Sequence, residues 1–374
     1  MTKEKNIKKQ ILLYSIYLII ILGLTALAIY FTLGKNYQNV LSVLGGANWV
    51  YVIVVFFIVI ACILTRSLVL YLLATIKLRK YSFHRAIALD QVGVFYRTTT
   101  PAGLGGNVMQ TATFKRQGIS ISTGASIVAM YFIVYQFALI IYNIITLIVK
   151  GSLINDIGFI AISFTSTSHV NIPLWLLISI GFLFNLGSIG LIFLLSFWKG
   201  FYKFVDGPIL KLLVKMKILK DIDYQHEKLN NAAINFRNNL KNLFSHWKIM
   251  LSAFLLCCLY ITISYSVPYF VGLSLGNTST SANFFDSVFL SNLHQMVTTV
   301  LPLPGGTMVS ELFFLKLFYP VNGAKFYSSE EIARASLLLW RSLMFIIPLF
   351  ISLIYTICYF PRKRNYDNIE NQEI

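Results

Sequence analysis

The sequence predicts an all-α polytopic membrane protein: about six full spans and two re-entrant broken helices, arranged as two inverted repeats. Composition, the length of the uncharged stretches and the placement of basic residues predict it. Of 374 residues, 57% are hydrophobic, and the mean hydropathy of +0.71 lies outside the range of soluble domains. Five stretches are long enough to cross about 30 Å of hydrocarbon as helices: Ile11 to Leu33, Trp49 to Ile76, Ile121 to Val149, Ile172 to Trp198, and Ile249 to Leu273. A sixth, Ile332 to Phe360, carries two arginines. The first stretch follows lysines and contains Ala26-Leu27-Ala28, as a cleaved signal would. Its apolar run continues to Leu33, which favours a retained span.

The formal net charge of +17 is distributed by loop. Lys3, Lys5, Lys8 and Lys9 precede the first span, and Lys77, Arg79, Lys80 and Arg85 follow the second. Lys115 and Arg116 precede the third, and Arg362, Lys363 and Arg364 follow the last. The linker Lys199 to Lys248 holds ten Lys/Arg against four Asp/Glu. The intervening loops carry only Lys35 and Lys150 as basic residues. By the positive-inside rule both termini are cytoplasmic, in a multi-pass protein of the cell membrane. Such clusters meet anionic headgroups, so nucleic acid is not an expected partner. Cys62, Cys257, Cys258 and Cys358 lie in apolar spans without metal-ligand spacing and read as small core residues.

Tyr81 to Arg116 begins and ends with basic residues, so it does not cross once, and it is too short to cross twice. The expectation is a dip: an amphipathic segment in, a break at Pro101 to Gly106, and a short helix from Asn107 to Arg116 out. Phe284 to Glu331 repeats the pattern with a break at Pro302, Pro304, Gly305 and Gly306. Broken backbone at membrane depth requires surrounding protein or a water-filled cavity. The organisation expected is residues 1–150 as the first inverted repeat, 151–198 as an external loop and the first span of the second, 199–248 as a basic amphipathic cytoplasmic linker, and 249–374 as the remainder with a short tail. Gly/Pro-interrupted segments in corresponding places of inverted halves point to a substrate site near the midplane.

The helix after each Gly-Gly pair would aim its free N–H groups inward, and two such ends facing each other make an anion site. Glycine admits a phosphate close to the backbone, and proline removes a donor. Charged residues within or beside the spans, Arg66, Arg97, Glu311, Lys316 and Arg341, each cost roughly 2.5 to 3.5 kcal/mol on insertion scales and require an offsetting partner or function. Arg97 and Arg341 read either as phosphate ligands or as structural partners of Asp90 and Glu311. Arg66 reads as snorkelling to the headgroups. His294 reads as a hydrogen-bonded structural residue rather than a switch. The expected headgroup site is Arg97, Thr100, Pro101, Gly105, Gly106, Gln110, Pro304, Gly305, Gly306, Ser310, Glu311 and Arg341. No catalytic residue, metal or cofactor is expected, because no Ser/His/Asp set, HExxH or Walker sequence is found.

TTTPAGLGGNVMQTATFKRQGIS, followed by a span with Tyr135-Gln136, and LPLPGGTMVSELFFLKLF, followed by Trp340-Arg341, are similar to the transmembrane domain of the bacterial lysyl-phosphatidylglycerol synthase/flippase proteins. The similarity runs from about Ile11 to Phe360. It implies an integral membrane domain that moves phospholipids or lipid-linked molecules between leaflets. Met308 stands where that family usually has a second small residue. Full-length synthases carry a large soluble catalytic domain, whereas fourteen residues follow Phe360. The expected function is therefore lipid translocation without chemistry; the alternative is phosphatidylglycerol lysyltransferase or its membrane subunit. Expected partners are membrane lipids, an anionic phospholipid or a lipid-linked phosphate, with homo-oligomer formation left open.

Overall fold

A computed structural model describes residues 19, 23, 26, 27, 30, 33, 37–100, 103–163, 169–197, 222–280, 282–299 and 303–359. Among them are α1 (Tyr37–Gly45), α2 (Trp49–Thr75), α3 (Phe83–Thr99), α4 (Gly105–Arg116) and α5 (Ile121–Ile157). A two-stranded hairpin, β1 (Phe159–Ser163) and β2 (His169–Pro173), leads into α6 (Leu174–Phe197). Next come α7 (Ile222–Ser245), α8 (Trp247–Tyr265), α9 (Val267–Ser274), α10 (Phe284–Thr299), a short turn at Pro304–Gly306, and α11 (Val309–Phe318). The C-terminal rod is α12 (Glu330–Arg341), a π turn (Ser342–Ile346) and α13 (Ile347–Tyr359).

Among the described residues, five helical segments are long and apolar enough to cross a membrane: Trp49–Thr75, Ile121–Ile157, Leu174–Leu191, Trp247–Ser274 and Glu330–Tyr359. The protein is thus an all-α polytopic membrane protein. Five of the six expected spans have their helix, and the stretch Ile11 to Leu33 lies almost wholly outside the described residues. Local chemistry sets the helix ends. Asn48 caps α2 by accepting from Val50 N at 3.0 Å, and Ser120 caps α5 by accepting from Thr123 N at 3.2 Å. The 37 residues of α5 extend about 55 Å at roughly 1.5 Å each, well beyond the apolar stretch that ends at Val149. Its C-cap is Gly158 in the left-handed region at φ 64, which turns the chain into the hairpin. The hairpin pairs Phe159 with Pro173 and Ser163 with His169, a regular element where only an external loop was expected.

Apolar clusters hold the helices together, three of them large. One gathers α2, the outer ends of α3 and α4, α5, α7 and α8 around Leu70, Leu73, Phe114, Ile127 and Met130. A second joins the end of α5, α6, α10, α11 and α12 around Leu293, Met296, Phe313, Phe314 and Tyr327. A third ties α1 and α2 to α9 and α12 through Val55, Val271 and Ala335. Polar side chains fix the register of α10: Asn292 Nδ2 donates to Asn143 Oδ1 and Thr146 Oγ1, each at 3.0 Å. Such interhelical bonds in membranes contribute about 0.6 kcal/mol each on average. Gly181 of α6 lies so close to α10 that an added Cβ would sit 2.0 Å from the Met296 carbonyl oxygen. Gly181→Ala is therefore expected to cost at least the upper end of the roughly 1–3 kcal/mol typical of overpacking. A thermal-shift comparison in detergent checks this; an unchanged melting temperature would mean that α6 does not pack so closely.

Both broken segments form helix–break–helix hairpins. In the first, α4 lies antiparallel to α3: a Cβ on Gly93 would meet the Gln110 side chain at 2.5 Å, and one on Gly106 would meet Arg97 Cβ at 3.0 Å. The close approach explains both glycines. α4 starts at Gly105, two residues earlier than expected, because Thr100 Oγ1 accepts from Gly105 N at 2.9 Å and supplies the cap. In the second hairpin the break passes through Gly305 (φ 60), Gly306 (φ 63) and Met308 (φ 71) before α11 begins. Met308, the departure singled out in the sequence, is the one non-glycine left-handed residue among those described. Trp49, Phe83 and Gly105 open α2, α3 and α4; Trp247, Phe284 and Val309 open α8, α10 and α11 about 200 residues later.

Candidate functional site

A cavity of about 330 Å³ lies between the two hairpins and the helices that enclose them. That is the lower end of the roughly 300–1,000 Å³ of ligand pockets. From the N-terminal half, α2 contributes Arg66 and Cys62, and α3 contributes Val94, Arg97 and Thr98. From the C-terminal half, α8 contributes Tyr260, Ser264 and Tyr265, and α10 contributes Ser291, His294, Gln295 and Thr298. Phe314 of α11, Trp340 of α12, and Met344 and Phe345 of the π turn close the wall. A π turn in a long helix is a common device at functional sites, and here it directly follows Arg341.

Arg66 is not at the headgroups. It lies 17 residues from Trp49 and nine from Thr75, roughly 25 Å and 14 Å along α2. Its side chain is 11% exposed and pairs with Asp90, Nη2 to Oδ2 at 3.1 Å and Nε to Oδ1 at 3.2 Å. Gln91 Nε2 donates to the same carboxylate at 3.0 Å. The Arg66 guanidinium carbon sits 5.3 Å from the centre of the Tyr260 ring. Snorkelling is thereby overturned: a fixed buried carboxylate offsets the charge where it lies. The same pair removes Asp90 as a partner for Arg97.

Arg97 is half-buried on the cavity wall, and no carboxylate among the described residues pairs with it. Its side chain covers the first break; a Cβ on Gly103 would meet its Cγ at 2.9 Å, and one on Gly106 its Nε at 3.2 Å. In the second break Phe345 plays the covering role, since a Cβ on Gly305 would meet its ring at 2.5 Å. Each break thus borders the cavity through the side chain laid over its glycine.

Arg341 is turned into the second break. It donates from Nη2 to Gly305 O at 3.0 Å and Thr307 Oγ1 at 3.1 Å, and its guanidinium carbon stacks 3.7 Å from the Phe345 ring centre. Nε lies 2.8 Å from Glu311 Oε1 with both side chains under 9% exposed. The angle does not suit a hydrogen bond, so charge holds this contact. Glu311, in the first turn of α11, also complements that helix end. The pairing of Arg341 with Glu311 is the structural alternative offered by the sequence.

Of the remaining expected site residues, Thr100 caps α4 as described, while Gly105 and Gly106 pack under Thr100 and Arg97. Gln110 is fully buried against Gly93 with neither amide atom hydrogen-bonded among the described residues. Ser310 accepts from His294: the Nε2 lies 2.9 Å from its carbonyl and 3.2 Å from Oγ, so His294 ties α10 to α11. Gly306 N donates to Leu303 O at 3.0 Å, and Pro304 opens the short turn. Pro101 lies outside the described residues. Among the described residues of the expected set, Arg97 alone lines the cavity.

The sequence reading missed Thr98 and Thr298. Both end the first arm of a hairpin and both line the cavity. Each folds its hydroxyl back, Thr98 onto Val94 O at 2.9 Å and Thr298 onto His294 O at 2.8 Å. The available signal was a threonine run before each break, Thr98 to Thr100 and Thr298 to Thr299, at matching distance from each Gly-Gly pair.

The chain is thus a polytopic helical membrane protein with a cavity, lined by arginines and hydroxyls, between two broken hairpins. Residues 16–352 match the model of the lysylphosphatidylglycerol synthase transmembrane region, so the chain belongs to that family of membrane proteins. No curated protein matches the chain.

Proposed function

We propose that the protein is a flippase-like translocator, in which the cavity holds the phosphate headgroup of a lipid at mid-depth while the acyl chains stay in the bilayer. The observation that carries this reading is Arg97: a guanidinium on a cavity wall, within an apolar bundle, without a carboxylate among the described residues. An uncompensated charge there is costly unless an anion joins it. Arg66 adds a second guanidinium whose position Asp90 fixes. The barrier to spontaneous lipid flip is desolvation of the charged headgroup, so a polar path lowers it without covalent chemistry.

The 200-residue spacing of helix starts, and the shared wall made by Val94 with His294 and Thr98 with Thr298, support two repeats. With the basic loops cytoplasmic, these repeats are inverted and the hairpins re-entrant from opposite faces of the cell membrane. Movement of one repeat against the other would switch access to the cavity. Thr100, Pro101, Gly105, Gly106 and Gln110 shape the first break under Arg97. Pro304, Gly305, Gly306, Ser310, Glu311 and Arg341 shape the second.

Reconstitution into liposomes carrying fluorescent phosphatidylglycerol tests this reading. The protein is expected to accelerate headgroup exchange between leaflets, and Arg97→Ala to slow it about ten- to a hundredfold. That is the range for losing a charged hydrogen bond of roughly 1.5–3 kcal/mol. A wild-type rate equal to that of empty liposomes would refute it. Incubation with lysyl-tRNA and phosphatidylglycerol is expected to give no lysylated lipid, and product formation would favour the synthase alternative.

A further inference from the structure

The two ends of α13 are held by different chemistry. At the near end the π turn places Phe345 on the cavity wall, stacked on Arg341 and laid over Gly305, so this end is fixed to the second break. Pro348 lies on the same wall, and beside it Leu349 packs on Phe95 of α3, both buried. From there α13 runs back along α3 and covers about 16 Å between Pro348 and Tyr359, at roughly 1.5 Å per residue. Ser352 and Thr356, buried on the way, bond to carbonyls of their own helix at 2.9 and 2.7 Å and add no tie across the seam.

The far end meets a polar knot. Gln117, the C-cap of α4, is fully buried and commits both ends of its amide. Its Oε1 accepts from Tyr81 Oη at 2.7 Å, and its Nε2 donates to Arg85 O at 3.2 Å and to Tyr359 Oη at 2.9 Å. One side chain thus joins both arms of the first hairpin to the end of a helix 242 residues later. Tyr359 is half-buried, and Lys80, Ser82 and Lys115, which flank the knot in sequence, are exposed. Water can therefore replace these bonds when they part, which keeps their net contribution small. The apolar seam is non-directional and has no single bond to break. A π turn is also a place where a long helix bends.

We propose that α13 is a gate. It swings on the π turn, Gln117 latches its far end, and release opens the seam between α3 and α13 from the basic end of the bundle towards the cavity. The use of this gate rests on the translocator reading above, but its motion is measured without following lipid movement, so either can fail alone.

Double electron–electron resonance between spin labels on the full chain in nanodiscs tests it. Cys62, Cys257, Cys258 and Cys358 are replaced by alanine. One label is placed at Lys248→Cys, at the exposed start of α8, and the other at Ile354→Cys, a position 59% exposed on α13 and more than a turn from Tyr359. Tyr359→Phe, which removes the hydroxyl at the latch, is expected to add a second distance and raise the ratio of open to closed molecules roughly two- to tenfold, the range for losing one hydrogen bond. Gln117→Leu, which breaks all three bonds, is expected to raise it by about tenfold or more. With the second label moved to Glu330→Cys on α12, one distance is expected in every variant, because the motion starts beyond the π turn. An unchanged single distance at Ile354→Cys in both latch variants, even with a lower melting temperature, would overturn the gate and leave Gln117 a structural tie. A second distance at Glu330→Cys would overturn the hinge.

Discussion

Arg341→Ala is expected to destabilise the protein by about 3–5 kcal/mol, the usual cost of breaking a buried ion pair by removing one partner. The change leaves Glu311, itself without a hydrogen bond among the described residues, as an uncompensated buried carboxylate in the first turn of α11. It also removes the donors that Gly305 O and Thr307 Oγ1 receive, and with them the tie between α12 and the second break. Gly305, Gly306 and Met308 all take left-handed backbone there, so the segment has little intrinsic preference for its path. A thermal melt of the detergent-solubilised protein measures the loss. The double variant Arg341→Met with Glu311→Leu, which removes both charges, is expected to recover most of it. If the double variant is as unstable as the single one, the pair is not what fixes the break.

Asp90→Asn is expected to have an effect of similar size for a different reason. Arg66 receives two oxygens from Asp90, and neutralising that carboxylate leaves the guanidinium buried without counter-charge. Here the cavity supplies a distinguishing readout, because Arg66 also lines it. An anionic lipid bound there replaces part of the lost charge, so phosphatidylglycerol should raise the melting temperature of Asp90→Asn by more than that of the wild type. The size of the rise follows the ratio of ligand concentration to its dissociation constant. Equal shifts in the two proteins would place the lipid away from Arg66.

Much of the fold was legible because hydropathy, Gly/Pro breaks and basic loops act along the chain. The apolar runs at Trp49, Ile121, Ile172 and Ile249 each became a helix, and both breaks fall where proline and glycine interrupt the pattern. Partnerships were less legible. Arg66 and Asp90 are 24 residues apart on two helices, and only the packing of α2 on α3 decides that Asp90 faces Arg66 and not Arg97. The π turn after Arg341 has no proline or glycine to announce it. Thr98, Thr298 and Ser291 were passed over since hydroxyls are common in membrane helices, where they satisfy themselves on the preceding turn, and exposure to an internal cavity leaves no periodic mark. The glycine-rich breaks drew attention to half-helix ends, whereas the charge on the cavity wall without a carboxylate partner among the described residues sits one turn earlier, on Arg97.

The central claim is that a lipid phosphate occupies the cavity beside Arg97. Electron cryomicroscopy of the protein in nanodiscs made with phosphatidylglycerol tests it most directly. The account predicts phosphate density within hydrogen-bonding distance of the Arg97 guanidinium, and its loss in Arg97→Ala. A cavity without such density, with ordered headgroups only around the outer surface of the bundle, would contradict it.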